Sequence, residues 1–145
     1  MAEKPPQTLA NHTRWDPLFH FFVMPVFALS TIAAIVMFLW HPGLHSAGRF
    51  VLVAAGTVAI FKIRLYALRV QDRVIRLEER LRLATLLSEP LRSRIPELTE
   101  AQLIAIRFAS DAEVPACVER ALSGKLSRAD IKKSIQNWRP DYWRV

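Results

Sequence analysis

His41 and His45 stand four apart, the interval at which two imidazoles on one helical turn can share a metal ion. Pro42-Gly43 between them breaks a helix at that point, and no third ligand stands nearby. His20 lies near one end of a long apolar stretch, where an ionisable residue is by default a functional suspect, here for haem or metal ligation. A neutral imidazole bonded across a hairpin or to interfacial water is the simpler reading. His12, beside Asn11, Arg14 and Trp15, reads as a cap or interfacial anchor. The single cysteine, Cys117, excludes an internal disulfide and forms no cluster of zinc-ligand spacing. Ser30, Thr31 and Thr57 fall in apolar stretches, where hydroxyls bond back to the preceding helical turn. There is no G-x-S-x-G, Cys-His pairing, P-loop or G-x-G-x-x-G, so the residues point to no enzyme, no cofactor and no resident metal.

The remaining chemistry is cationic. Lys+Arg number 20 against 13 Asp+Glu, a formal net charge of +7. The excess gathers between Lys62 and Arg94, where the acids are Asp72, Glu78, Glu79 and Glu89. Lys62, Arg64, Arg69, Arg73, Arg76 and Arg80 are therefore the candidate lipid-headgroup residues, each worth about 1 kcal/mol near an anionic surface. Nucleic acid is not an expected partner, because none of its recognition motifs is present. Asp72 with Arg76 and Glu78 with Arg82 have helix-pairing intervals, so part of the charge supports a helix surface. Further on, Arg107 and Arg139 can pair with Asp111 and Asp141 or bind lipid phosphates; Trp138, Tyr142 and Trp143 suit either a tail core or a headgroup layer.

The elements that position these groups follow from hydropathy. At 145 residues and 52% hydrophobic, the chain has room for one modest core and hardly for two independent domains. Pro17 to Trp40 runs for about 24 residues without a formal charge, long enough to cross a ~30 Å hydrocarbon layer. A buried core helix would need apolar cover that so short a chain can scarcely provide, and a cleaved signal would have a shorter apolar run and a small-x-small site. After the turn HPGLHSAG, a second span reaches from about Leu44 to Leu68, with Arg49 at one interface and Lys62 and Arg64 at the other. A hairpin that dips in without crossing is the competing geometry. Pro25 should weaken or kink the first helix, and Ser30 with Ala34 and Ala55 with Ala59 offer small residues for close helix approach. The loop carries only Arg49, whereas Lys4, Arg14 and the cations after Lys62 lie on the other side, so both termini should be cytoplasmic.

No Gly or Pro occurs between Gly56 and Pro90, so the second span should continue as one rod. Along it Ile63, Ala67, Val70, Val74, Leu77, Leu81 and Ala84 alternate by four and three, a seam of about three heptads. In a parallel dimer this register sets Arg73 at g against Glu78 at e; a wider stripe with Leu68, Ile75, Leu83 and Leu86 suits packing against the chain's own tail instead. In the tail, Thr99 and Gln102 form a capping box, Asp111 can cap a helix from about Glu113 to Ser123 closed by Gly124, and Ser127 with Asp130 starts a helix ADIKKSIQNW stopped by Pro140. The organisation is thus a segment 1–16, an apolar hairpin 17–68, a basic juxtamembrane helix 69–95 and a helical tail 96–145.

The stretches NHTRWDPLFHFF, ALRVQDRVIRLEERLRL, RFASDAE and IKKSIQNWRPDYWRV together resemble a family of small bacterial membrane proteins of uncharacterised function. The resemblance covers nearly the whole chain and implies two spans in an inner membrane, with no activity or catalytic residue to carry over. The expected fold is an all-α membrane protein. The expected role is non-catalytic, an adaptor or accessory subunit at an anionic bilayer, as a homodimer or bound to a larger membrane protein; an oligomeric transport component is the alternative.

Overall fold

The computed structural model describes residues 6–13 and 15–142. Lys4, Arg14, Trp143 and Arg144 lie outside them. Every regular element among the described residues is a helix, and no strand forms there, only an isolated bridge between Ala109 and Trp138. The elements are a π-helical turn (Phe19–Val23) leading into α1 (Met24–Trp40), α2 (Leu44–Leu86), a 3-10 segment (Arg92–Glu97), α3 (Glu100–Ile106), α4 (Val114–Ser123) and α5 (Arg128–Ser134). Contacts divide the described residues into two compact units, one from Trp15 to Arg69 and one joining residues 6–13 to residues 70–142.

In the first unit, α1 and the early part of α2 form an apolar helical hairpin. Phe19–Trp40 and Leu44–Leu86 are both long and apolar enough to cross a membrane. Phe21, Leu29, Leu39, Val51 and Leu52 are all exposed, so the hairpin buries no core of its own. At Pro25 the helix widens instead of breaking: the missing amide donor and crowded ring are preceded by the π-turn, in which the Met24 amide bonds the Phe19 carbonyl five residues back. The two helices meet where Thr31 Oγ and Thr57 Oγ lie 3.0 Å apart and where a Cβ on Gly56 would come within 3.2 Å of the Phe27 ring. Ala55 and Ala59 are exposed, so the expected small-residue interface is formed one position along, at Gly56 and Thr57. The two threonines also reach back to the Phe27 and Val53 carbonyls at 2.8 and 2.9 Å. Two hydroxyl protons thus face three acceptor contacts, and one hydroxyl must give up its backbone bond whenever the helices share one. Ser46 closes the turn by donating to the His41 and Gly43 carbonyls at 2.7 and 2.9 Å.

The second unit holds the hydrophobic core. Leu83 of α2 and Leu87 just after it pack with Leu103, Ile106, Phe108, Val114, Val118 and Ile131, most of them fully buried. Burying each such side chain contributes about 1.5–3 kcal/mol, which is what holds helices as short as α3 and α5. The capping box at α3 forms as its sequence implies: Thr99 N donates to Gln102 Oε1 at 2.9 Å, and Gln102 N donates to Thr99 Oγ at 3.3 Å. Gln102 also donates to the Ala121 and Leu126 carbonyls, tying α3 to the end of α4. Ser127 caps α5 through the Asp130 amide at 3.3 Å.

Two helix ends differ from expectation. Asp111 does not cap α4; its carboxylate is taken by Arg82, the first turn instead bonds the Ser110 carbonyl, and Glu113 stands at the cap position without capping. The Glu113 carboxylate accepts from the Gln136 and Asn137 amides at 2.9 and 3.1 Å. Those bonds help explain why α5 stops at Ser134 well before Pro140. The following backbone is drawn to the loop after α3, with Ser110 N bonded to Asn137 O at 3.0 Å and Arg139 N to Phe108 O at 2.7 Å. The left-handed residue after α4 is Lys125 (φ 45°), whereas Gly124 keeps a right-handed conformation.

Candidate functional site

Helical spacing distributes the candidate headgroup cations along α2. In the hairpin unit, Lys62 and Arg69 are exposed, while Arg64 lies on the opposite side with its guanidinium carbon 5.3 Å from the Phe19 ring. In the second unit, Arg73 and Arg80 are exposed and share a helix face with Arg76. Arg76 is engaged: its guanidinium pairs with Glu100 and its Nε donates to the Asp72 carbonyl at 3.2 Å. Lys62, Arg69, Arg73 and Arg80 make no ion pair with a described residue, so their charge is available to an external partner.

Below that face lies a cluster the sequence only half revealed. Glu79 is 4% exposed and is met by Arg82 Nη1 at 3.1 Å and Arg139 Nη1 at 3.5 Å. Arg82 also donates from Nε and Nη2 to Asp111 Oδ1, at 2.9 and 2.5 Å, and from Nη2 to the Ala109 carbonyl at 2.7 Å. Arg107, its side chain buried, pairs with Asp141 at 3.0 Å and lies over the Phe108 ring at 4.4 Å. Burial pushes the Glu79 carboxyl above its usual range, against the pull of Arg82, Arg139 and Arg107. Hydrogen bonding to Arg82 holds Asp111 below its range. A cavity of about 440 Å³ opens between Glu79, Arg82, Arg107, Arg139 and Asp141. Its guanidiniums are matched by carboxylates, so the arrangement acts as a clasp joining α2, the loop after α3 and the segment after α5. Of the expected partners, Arg107 takes Asp141, but Arg139 takes Glu79 and Asp111 goes to Arg82. Arg82 turns away from Glu78, and Arg76 meets the carbonyl of Asp72 instead of its carboxylate.

The histidines find local tasks. His20 Nδ1 lies 2.8 Å from the Asp16 carbonyl and 3.2 Å from the Asp16 amide, within its own helical turn and not across the hairpin, with the Trp15 ring at 4.9 Å. His41 ends α1 and His45 lies in the first turn of α2. His12 meets the Phe108 and Trp138 rings at 5.7 and 5.8 Å. Lys132 Nζ stands 2.8 Å from its Nε2. An ammonium can only donate, so Nε2 accepts and Nδ1 carries the proton that is given to the Leu9 carbonyl at 2.8 Å. Gln7 makes a paired contact with Asp141, accepting from its amide at 2.8 Å and donating to its carbonyl at 3.1 Å. The sequence offered no signal for this closure, since 134 residues separate the partners. Trp138 settles into the tail core beside Phe108. Cys117 is buried, and burial pushes its thiol up.

No curated protein and no solved structure matches the chain. A sequence model described as a family of unknown function, DUF6526, matches residues 1–145, in keeping with the resemblance to an uncharacterised family, and the protein belongs to that family.

Proposed function

We propose that this protein is a non-catalytic accessory subunit of a bacterial inner membrane, anchored by the α1–α2 hairpin and presenting its helical unit to a larger membrane partner on the cytoplasmic side. The observation that carries the reading is the contrast between the units. The hairpin exposes Phe21, Phe22, Leu29, Leu39, Val51 and Leu52, while the other unit has a closed core and keeps Arg73 and Arg80 outward. Exposed apolar surface of that extent is tolerated where lipid covers it. Residues 6–13 pack with residues after Val70, which supports reading both flanks of the hairpin on one side of the membrane. The cations that follow the second span favour the cytoplasm for that side. Lys62, Arg64, Arg69, Arg73, Arg76 and Arg80 are the residues assigned to anionic headgroups, with Arg76 the weakest because Glu100 engages it.

The test is extraction from native membranes in mild detergent, followed by mass spectrometry and light scattering. A stoichiometric larger protein supports the accessory role. Recovery with copies of itself alone, together with solute flux in reconstituted vesicles, overturns it in favour of a transport component.

A further inference from the structure

The tail covers one face of α2 and leaves another open. Ile75 and Leu83 turn inward and are buried, whereas Val70, Val74, Leu77 and Leu81 are 64, 47, 60 and 63% exposed. The exposed four alternate by four and three, d, a, d, a of a heptad, so self-packing has not used the seam. Between Val70 and Ala84 the charged residues flanking it at e and g are Arg73, Glu78 and Arg80. Neither Arg73 nor Glu78 forms an ion pair with a described residue.

We infer that Val70, Val74, Leu77 and Leu81 form the seam of a parallel, in-register two-stranded coiled coil with a second copy of this chain. Charge complementarity selects that occupant. In such a pair, g of one helix faces the following e of the other, which sets Arg73 against Glu78 twice over and Arg80 against the neutral Thr85. An antiparallel pair juxtaposes g with g and brings arginines together, a repulsive arrangement. A β-branched Val74 at a followed by Leu77 at d is the combination that favours two strands. The inference rests in part on the membrane reading, because anchored copies present α2 with one polarity and so meet in parallel.

The experiment is oxidative cross-linking of the full chain in native membranes, in a Cys117→Ser background. Leu77 is exposed, so Leu77→Cys leaves the fold of each copy intact. The d position brings the two sulfurs within disulfide reach, and Leu77→Cys is expected to give a dimer-mass product about tenfold more abundant than Asp72→Cys at f. Arg73→Glu should lower that yield about fivefold, and Arg73→Glu with Glu78→Arg should restore it. Equal yields from Leu77→Cys and Asp72→Cys, a product of another mass, or failure of the double exchange to restore the yield overturns the seam. Fractionation separates the two readings: membrane-bound chain without the Leu77→Cys dimer overturns the seam alone, and the dimer in the soluble fraction overturns the membrane seating alone.

Discussion

Arg82 ties together three parts of the second unit, because one guanidinium meets Glu79, Asp111 and the Ala109 carbonyl. Arg82→Ala leaves Glu79 buried with only the longer contact to Arg139, and should cost about 2–4 kcal/mol in denaturant unfolding of the detergent-solubilised protein. Arg82→Lys should recover little of this, since a point charge cannot span three acceptors in a fixed fork. Glu79 also gives stability a pH dependence of definite sign. Its folded pKa is raised above 4.5, so the native state holds the proton more tightly than the unfolded chain. That contribution is fully present below about pH 4.5 and is lost as pH rises through the raised value. Asp111, lowered from 3.8, acts in the opposite sense: its contribution is present above 3.8 and lost on acidification. The melting temperature of the wild type minus that of Glu79→Gln should therefore fall as pH climbs above about 4.5, measured by thermal scans across that range. Cys117 yields a simpler readout. Burial both hides the thiol and suppresses its thiolate, so alkylation near neutral pH should be negligible in the native protein and rapid in denaturant, as counted by mass spectrometry.

At the scale of elements, α2 carries two apolar faces with different duties. Leu83→Ala removes a fully buried side chain and should destabilise the second unit by about 2–5 kcal/mol. Leu77→Ala, on the exposed face, should change the stability of a single copy by less than about 0.5 kcal/mol while weakening any self-association, a contrast accessible to unfolding and sedimentation of the same variants. The helices themselves were legible in the sequence because their signals are local. The uninterrupted run to Leu86, the Thr99–Gln102 box and the Ser127 cap each depend on residues within one turn. The misassigned ends were those where a distant group competes for the same atoms. Arg82 removes Asp111 from its cap, and Glu113 captures the amides that would have extended α5. The site was legible in the same proportion. The cations of α2 could be read from composition, but the clasp needed Arg139 beside Glu79, a pairing that no short interval in the sequence encodes.

For the whole molecule, one fold joins a hairpin whose apolar side chains face outward to a helical unit assembled from both flanks of that hairpin. The early segment is a working part of that unit, since His12 fills the space beside Phe108 and Trp138 and Gln7 pairs with Asp141. Deleting residues 6–13 should therefore loosen the chain around Trp138 and speed limited proteolysis there. The same pairing has a consequence for biosynthesis. Gln7 is made before the backbone it bonds, which follows 134 positions later. At about 5–20 residues per second, it waits roughly 7–27 s for its partner. During that interval residues 6–13 have no seat and the clasp around Glu79 still lacks Arg139. Completion of the unit thus waits for the segment after α5, and a nascent chain stalled before Arg139 leaves the core without that closure.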